Sequence, residues 1–142
     1  MGRIKIMDII LDTHAFIWLM EGDKTLNQLS RKKIDECSKE GTLFISAISI
    51  WEIAMLQNKG KISLTLPIQK WVEKAMILPS LKIIPIDESI AIESCKLPGD
   101  FHGDPADRMI VATSRLFSIP LVTRDKKILI YGNQAFVNVI EC

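Results

Sequence analysis

The feature that most constrains this chain is a set of short, unbroken apolar runs, each closing on a polar or acidic residue. Ile9-Ile10-Leu11 stops at Asp12, Leu43-Phe44-Ile45 at Ser46, and Leu121-Val122 at Thr123-Arg124-Asp125. Continuous rather than alternating apolar character predicts strands buried on both faces, as in a parallel sheet covered by helices. Stretches with helical spacing separate the runs. Their alternation predicts an α/β sandwich around a central, mainly parallel sheet of about five strands. Ligand crevices in such sheets open at the carboxyl ends of the strands. The residues that close the runs therefore stand where a site would form.

Taken in order, strands are expected over Met7–Asp12, Leu43–Ser46, Lys82–Ile86, Ile119–Thr123 and Ala135–Ile140. Pro85 places the third at an edge or ends it early, because proline cannot donate to a ladder. Helices are expected over Ala15–Met20, Ser30–Glu40, Ile48–Leu56, Ile68–Leu78, Asp87–Lys96 and Asp104–Phe117, with one helical turn over Lys126–Ile130. Ser30 reads as the N-cap of the second helix and Gly41 as its end. No repeat, low-complexity tract or linker interrupts the chain.

Composition removes several functional classes. At 142 residues, 48% hydrophobic and 25% charged, the chain is expected to form one domain over residues 1–142 with a full core. A net charge of +1 announces neither nucleic acid nor membrane, so phosphate binding needs local clustering of Lys and Arg. Cys37, Cys95 and Cys142 are odd in number and lack a C-x-x-C pair, which argues against a disulfide framework or structural zinc site and suits the cytoplasm. The apolar runs are far short of a membrane span. Asp8 and Asp12 interrupt any signal-peptide core, and Ile6 stands where a myristoylation signal wants Ser or Thr.

Chemistry concentrates in Gly103-Asp104-Pro105-Ala106-Asp107-Arg108-Met109-Ile110-Val111-Ala112. Two readings stay open. In one, Asp104 is an N-cap, Pro105 the first helical residue and Asp107 the reciprocal acid of a capping box. In the other, acids at i and i+3 share a helix face and turn toward one cation. Glu52 is a second flag, as the only charged residue between Glu40 and Lys59. On a helix apolar nearly all round it should be buried, and then salt-bridged, metal-bound or shifted toward neutrality. Asp12 and Asp125 each follow a strand. In a parallel sheet these acids converge on one edge, where several carboxylates need cations to coexist as anions. All-oxygen ligation points to Mg²⁺ or Mn²⁺ rather than zinc. Such a cluster suits phosphodiester hydrolysis. Arg108, Arg124, Lys126 and Lys127 flank the acids; they either meet neighbouring phosphates or form a solvated surface.

Four segments together carry a family pattern. They are Ile10-Leu11-Asp12-Thr13-His14, the run Ser46 to Ala54 around Trp51-Glu52, the run His102 to Ala112, and Leu121-Val122-Thr123-Arg124-Asp125. In this order and spacing the chain resembles the PIN-domain family, in particular the VapC-type toxins of toxin–antitoxin pairs. The resemblance implies a PIN-like three-layer α/β/α sandwich and a metal-dependent endoribonuclease. It places the family's catalytic and metal-binding acids on Asp12, Glu52, Asp107 and Asp125. Asp104 matches an extra acid of one variant and is the weakest of the ligands. Thr13, Ser46 and Thr123 match polar positions that orient carboxylates or water, and His14 has at most a supporting role. A homodimer, an RNA substrate and a cognate VapB-type antitoxin covering the groove are implied as partners. The family begins close to its first strand, so residues 1–6 read as an extension and Met7 as an alternative start.

A rival reading is a PIN-like module that binds RNA or dimerises without cutting. An aspartyl-phosphate phosphatase fits less well, because it wants Asp where His14 stands. A dinucleotide-binding fold lacks its G-x-G-x-x-G after the first strand.

Overall fold

The computed structural model describes residues 8–142, and both expectations about the start, an extension over 1–6 and a beginning at Met7, lie outside them. Five strands, β1 (Ile9–Leu11), β2 (Leu43–Ser46), β3 (Leu81–Ile84), β4 (Leu121–Thr123) and β5 (Val139–Glu141), are described. Between them run α1 (Thr13–Glu21), α2 (Gln28–Glu40), α3 (Ala47–Asn58), α4 (Ile68–Met76), α5 (Glu88–Cys95), α6 (Pro105–Phe117) and α7 (Lys126–Asn133). The sheet order is β3-β2-β1-β4-β5 and every pairing is parallel. From β1 the chain builds outward to β2 and β3, then returns to the other side of β1 for β4 and β5. The order therefore reverses between β1 and β4, which is where a crevice opens in this kind of sheet.

The unbroken apolar runs have a direct structural counterpart. Side chains of a strand alternate between faces, so both faces are apolar only if both are covered. Ile9 and Leu11 join Leu43, Ile45, Phe16, Ile34, Trp71 and Ala75 in one core. Ile10, between them, joins Leu121, Ile90, Ile110, Val111, Ile128 and Tyr131 in the other. The result is a three-layer α/β/α sandwich. Full burial of each Ile or Leu contributes roughly 1.5–3 kcal/mol. β3 is an edge strand and stops at Ile84, immediately before Pro85.

Four local expectations are corrected. The cap of α2 is Asn27, whose side chain accepts from the Ser30 amide at 2.8 Å; Ser30 is the third residue of the helix, and its hydroxyl donates to the Glu141 carbonyl. α1 runs one residue beyond Met20 and stops at Gly22, in the left-handed region at φ 64°. α7 is a full helix to Asn133 rather than one turn, and β5 begins only at Val139. Gly132 permits this packing, because a Cβ there would sit 2.6 Å from Val139 Cγ2. Finally, Glu52 is half-buried rather than enclosed. Although α3 is apolar nearly all round, only Ser49 and Ile53 are buried, and Trp51 is 55% exposed. The helix packs on α1, α4 and α6 at the end of the sheet instead of within a core.

Candidate active site at the carboxyl edge of the sheet

Each acid is delivered by a turn out of a strand or into a helix. Asp12 ends β1 and caps α1: its Oδ1 accepts from the Ala15 amide at 2.8 Å. Its Oδ2 accepts from Thr123 Oγ1 at 2.5 Å, across the reversal from β4. The Thr123 hydroxyl in turn accepts from the Asp125 amide at 3.0 Å. Asp125 caps α7 through the Lys127 and Ile128 amides. One hydroxyl thus ties the two strand-end acids together. On the other side, Ser46 caps α3 by accepting from the Ile48 amide, and Thr13 Oγ1 donates to Ser49 Oγ at 2.9 Å, fixing α1 to the helix that carries Glu52.

Asp104 caps α6, accepting from the Asp107 amide at 3.0 Å. The reciprocal half of the expected capping box is not made. The Asp104 amide donates instead to His102 Nδ1 at 3.3 Å, and Asp107 Oδ2 lies 3.2 Å from His102 Nε2. Asp107 is therefore free of the cap and faces inward.

Asp12, Glu52, Asp104, Asp107 and Asp125 line one pocket of about 420 Å³, together with Thr13, His14, Trp18 and Arg124. Burial pushes the Asp107 carboxyl up to about 7, reinforced by the charges of Asp104, Asp125, Glu52 and Asp12. Burial also raises Asp12, against the lowering effect of its bonds from Thr123 and Ala15. Acids whose proton affinity rises because they face one another form a site with negative charge in excess. The donor set is carboxylate oxygen without a thiol, which fits a hard divalent cation. Among the described residues, no three acid, imidazole or thiol side chains converge closely enough to form a ready-made coordination shell. The acids face one another across the pocket.

The flanking cations separate. Arg124 lines the pocket, its guanidinium held by the main-chain oxygens of Cys142 at 2.8 Å and Thr25 at 2.5 Å and placed 5.1 Å from the Trp18 ring centre. Lys126 and Lys127 are exposed at the start of α7 and do not line it. The expectation for Arg108 is corrected. Its guanidinium donates to the carbonyls of Ser94, Phe101 and His102, at 2.7, 3.0 and 3.1 Å, and so anchors the loop before α6 instead of facing phosphate. Ser46 and Thr123 likewise stand behind the pocket wall, fully buried.

Three participants escaped the sequence reading. Ser49 had a signal, since it lies three residues before Glu52 and shares its helix face. Trp18 lies four residues after His14, and the two rings are 6.0 Å apart. His102 had none beyond its neighbourhood.

Residues 9–133 match the PIN domain family. Ribonuclease VapC22 of Mycobacterium tuberculosis is 30% identical over 120 residues, spanning 84% of this chain and 88% of that protein. Among solved structures, VapBC2 from Rickettsia felis bound to a DNA fragment from their promoter superposes with a TM-score of 0.68 at 16% identity, over 95% of this chain and 98% of that one. FitAcB from Neisseria gonorrhoeae superposes with a TM-score of 0.62 at 22% identity, over 93% and 96%. At these identities the structures speak for the fold alone. The family match over most of the chain and the ribonuclease relative, together with the five-stranded parallel sheet, show that the chain belongs to the PIN-domain family, on its VapC-like branch.

Proposed function

We propose that this protein is a metal-dependent endoribonuclease toxin that hydrolyses RNA phosphodiester bonds and is neutralised by a cognate VapB-type antitoxin. The observation that carries this reading is the convergence of five carboxylates from four separate elements on one pocket at the sheet reversal. Asp12, Glu52, Asp107 and Asp125 would hold Mg²⁺ or Mn²⁺, with Asp104 the weakest member. When bound, such a cation supplies activated water and neutralises charge on the phosphoryl group.

The chain's own residues set the stage. Thr123 and the Ala15 amide hold both oxygens of Asp12 in one orientation. Arg124 is the cation lining the pocket, and its two main-chain anchors and the Trp18 ring fix it to receive a phosphate oxygen. Asp107 carries a proton about half the time at neutral pH in the metal-free pocket. The partners that this reading brings with it are RNA, the antitoxin and a second copy of the chain, acting in the cytoplasm. No helix among the described residues is long and apolar enough to cross a membrane.

The second reading, a PIN-like module that binds RNA or dimerises without cutting, draws on the absence of a ready-made coordination shell among the described residues. One experiment separates them. Wild type and Asp12→Asn are titrated with Mg²⁺ and Mn²⁺ and assayed for RNA cleavage. The nuclease reading expects metal-dependent cleavage that the substitution abolishes. Chelator-insensitive RNA binding without cleavage would establish the module instead.

A further inference from the structure

The Asp104-Pro105-Ala106-Asp107 turn is preceded by a histidine that the site described above leaves unused. His102 does not line the pocket; it stands behind Asp107. Its Nε2 is fully enclosed and is the buried side-chain nitrogen or oxygen without a hydrogen-bond partner among the described residues. It lies 3.2 Å from Asp107 Oδ2, close enough to bond but not aligned to do so. Its Nδ1 is committed, because it accepts the Asp104 amide at 3.3 Å. An imidazole that accepts at Nδ1 carries its proton at Nε2 when neutral. The enclosed atom is thus an N–H donor pointed at the neighbourhood of a carboxylate oxygen.

The loop that carries His102 is braced for such a role. Arg108 grips the carbonyls of Phe101 and His102 and, farther back, that of Ser94. The Phe101 ring packs against His102, with centres 4.3 Å apart, and against Tyr131 at 4.8 Å. Tyr131 donates its hydroxyl to the Pro98 carbonyl, closing the other end of the loop. Three independent fastenings hold one imidazole, whose free donor meets nothing but Asp107.

Resting on the nuclease reading for its consequence, we propose that His102 is a positioning residue. Its Nε2–H engages Asp107 Oδ2 and turns the other carboxylate oxygen toward the pocket, while Arg108 fixes the loop that makes this reach possible. Outer partners of this kind typically change metal affinity 10–100-fold when removed. The placement of the donor atom also makes a stereochemical demand. A glutamine amide reaches the place of Nε2, whereas an asparagine amide reaches only that of Nδ1.

The test compares wild type, His102→Gln, His102→Asn and His102→Ala by calorimetric titration with Mn²⁺, with thermal melts of each metal-free protein as the fold control. His102→Ala and His102→Asn are expected to bind Mn²⁺ at least 10-fold more weakly, and His102→Gln within about threefold of wild type. In ¹⁵N-edited spectra of the metal-free wild type, His102 is expected as the Nε2–H tautomer, with a proton resonance that moves in Asp107→Asn. This spectrum tests the contact even if His102→Ala fails to fold. Equal affinity in all four proteins, asparagine and glutamine behaving alike, or an Nδ1–H tautomer would each overturn the proposal. A wild type that binds no Mn²⁺ would instead sink the nuclease reading, with the spectrum still deciding the contact between His102 and Asp107.

Discussion

Two carboxylate environments in this molecule are built in opposite ways. At the end of α1, Glu21 is surrounded by donors: Oε1 accepts the Thr65 amide at 3.1 Å, and Oε2 accepts Thr65 Oγ1 at 2.9 Å and Trp71 Nε1 at 3.1 Å. At the other end of the same helix, five acids share a pocket with little besides Arg124 and His14 to offset them. Glu21 ties the loop before α4 to α1 and anchors the buried Trp71. Asp107 is left with a carboxyl pushed up to about 7 by burial and by its acidic neighbours. Where the fold satisfies a carboxylate it gains rigidity, and where it withholds partners it keeps a place for a ligand. Function and stability are therefore expected to separate cleanly between the two regions.

The sharpest break comes from the pocket itself. Asp107→Asn is expected to lower metal-dependent RNA cleavage at least a thousandfold, about 4 kcal/mol of barrier. The same substitution removes one of several facing charges, so the metal-free protein should melt no lower than wild type. Cleavage kinetics and a thermal melt on one preparation check both halves. Loss of activity accompanied by a lower melting temperature would mean that Asp107 is a structural acid like Glu21.

Glu21→Ala should show the reverse. It leaves the Trp71 indole N–H and the Thr65 amide without their acceptor, at a cost of about 2–3 kcal/mol in stability. Urea unfolding measures this. Cleavage per folded molecule should stay within about twofold of wild type.

The pH dependence of the metal-free protein separates the regions by sign. Asp107 goes from the ordinary 3.8 in the unfolded chain to about 7 in the folded one, and Asp12 is displaced in the same direction. Between roughly pH 4 and 7 the folded state therefore binds more protons than the unfolded state, and stability falls as pH rises through that window. Each unit of displacement is worth at most about 1.4 kcal/mol, shared among coupled acids. A loss of about 1–2 kcal/mol is expected across the window, recovered by millimolar Mg²⁺ at pH 7.5 and much reduced in Asp107→Asn. Stability that rises over this interval would show that the acids are already compensated.

The two regions were also unequally legible in the sequence. Asp12 and Asp125 announce themselves because an unbroken apolar run can only be a two-sided buried strand, and whatever follows it emerges at one edge. Glu52 is conspicuous as a lone charge in an apolar helix. Its half-exposure is not legible, since that depends on α3 lying across the end of the sheet, and no local pattern encodes that placement. Arg108 looked like a phosphate contact because its partners are main-chain carbonyls, which leave no trace in residue identity. The Glu21 hub was invisible for the same reason, combining a side chain with Thr65 and Trp71 from a segment without helical or strand periodicity. Asn27 and Ser30 are both good caps three residues apart, and only the packing of α2 decides between them.

Asp104 belongs to both regions at once, and it gives the smallest and most discriminating effect. It caps α6 as Asn27 caps α2, yet it lines the acidic pocket. Asn27→Ala, away from the pocket, should cost about 1 kcal/mol, the ordinary value of a cap. Asp104→Asn keeps a capping oxygen, because asparagine is as good an N-cap as aspartate. It also removes the charge that stands second only to burial in raising Asp107. The cap being kept and the repulsion lost, metal-free stability at pH 7 should rise by a few tenths of a kcal/mol. Mn²⁺ affinity should fall less than tenfold if Asp104 is chiefly a cap. A larger fall, measured beside the unchanged melt, would move Asp104 among the principal ligands and make the first turn of α6 a two-acid contribution to the site.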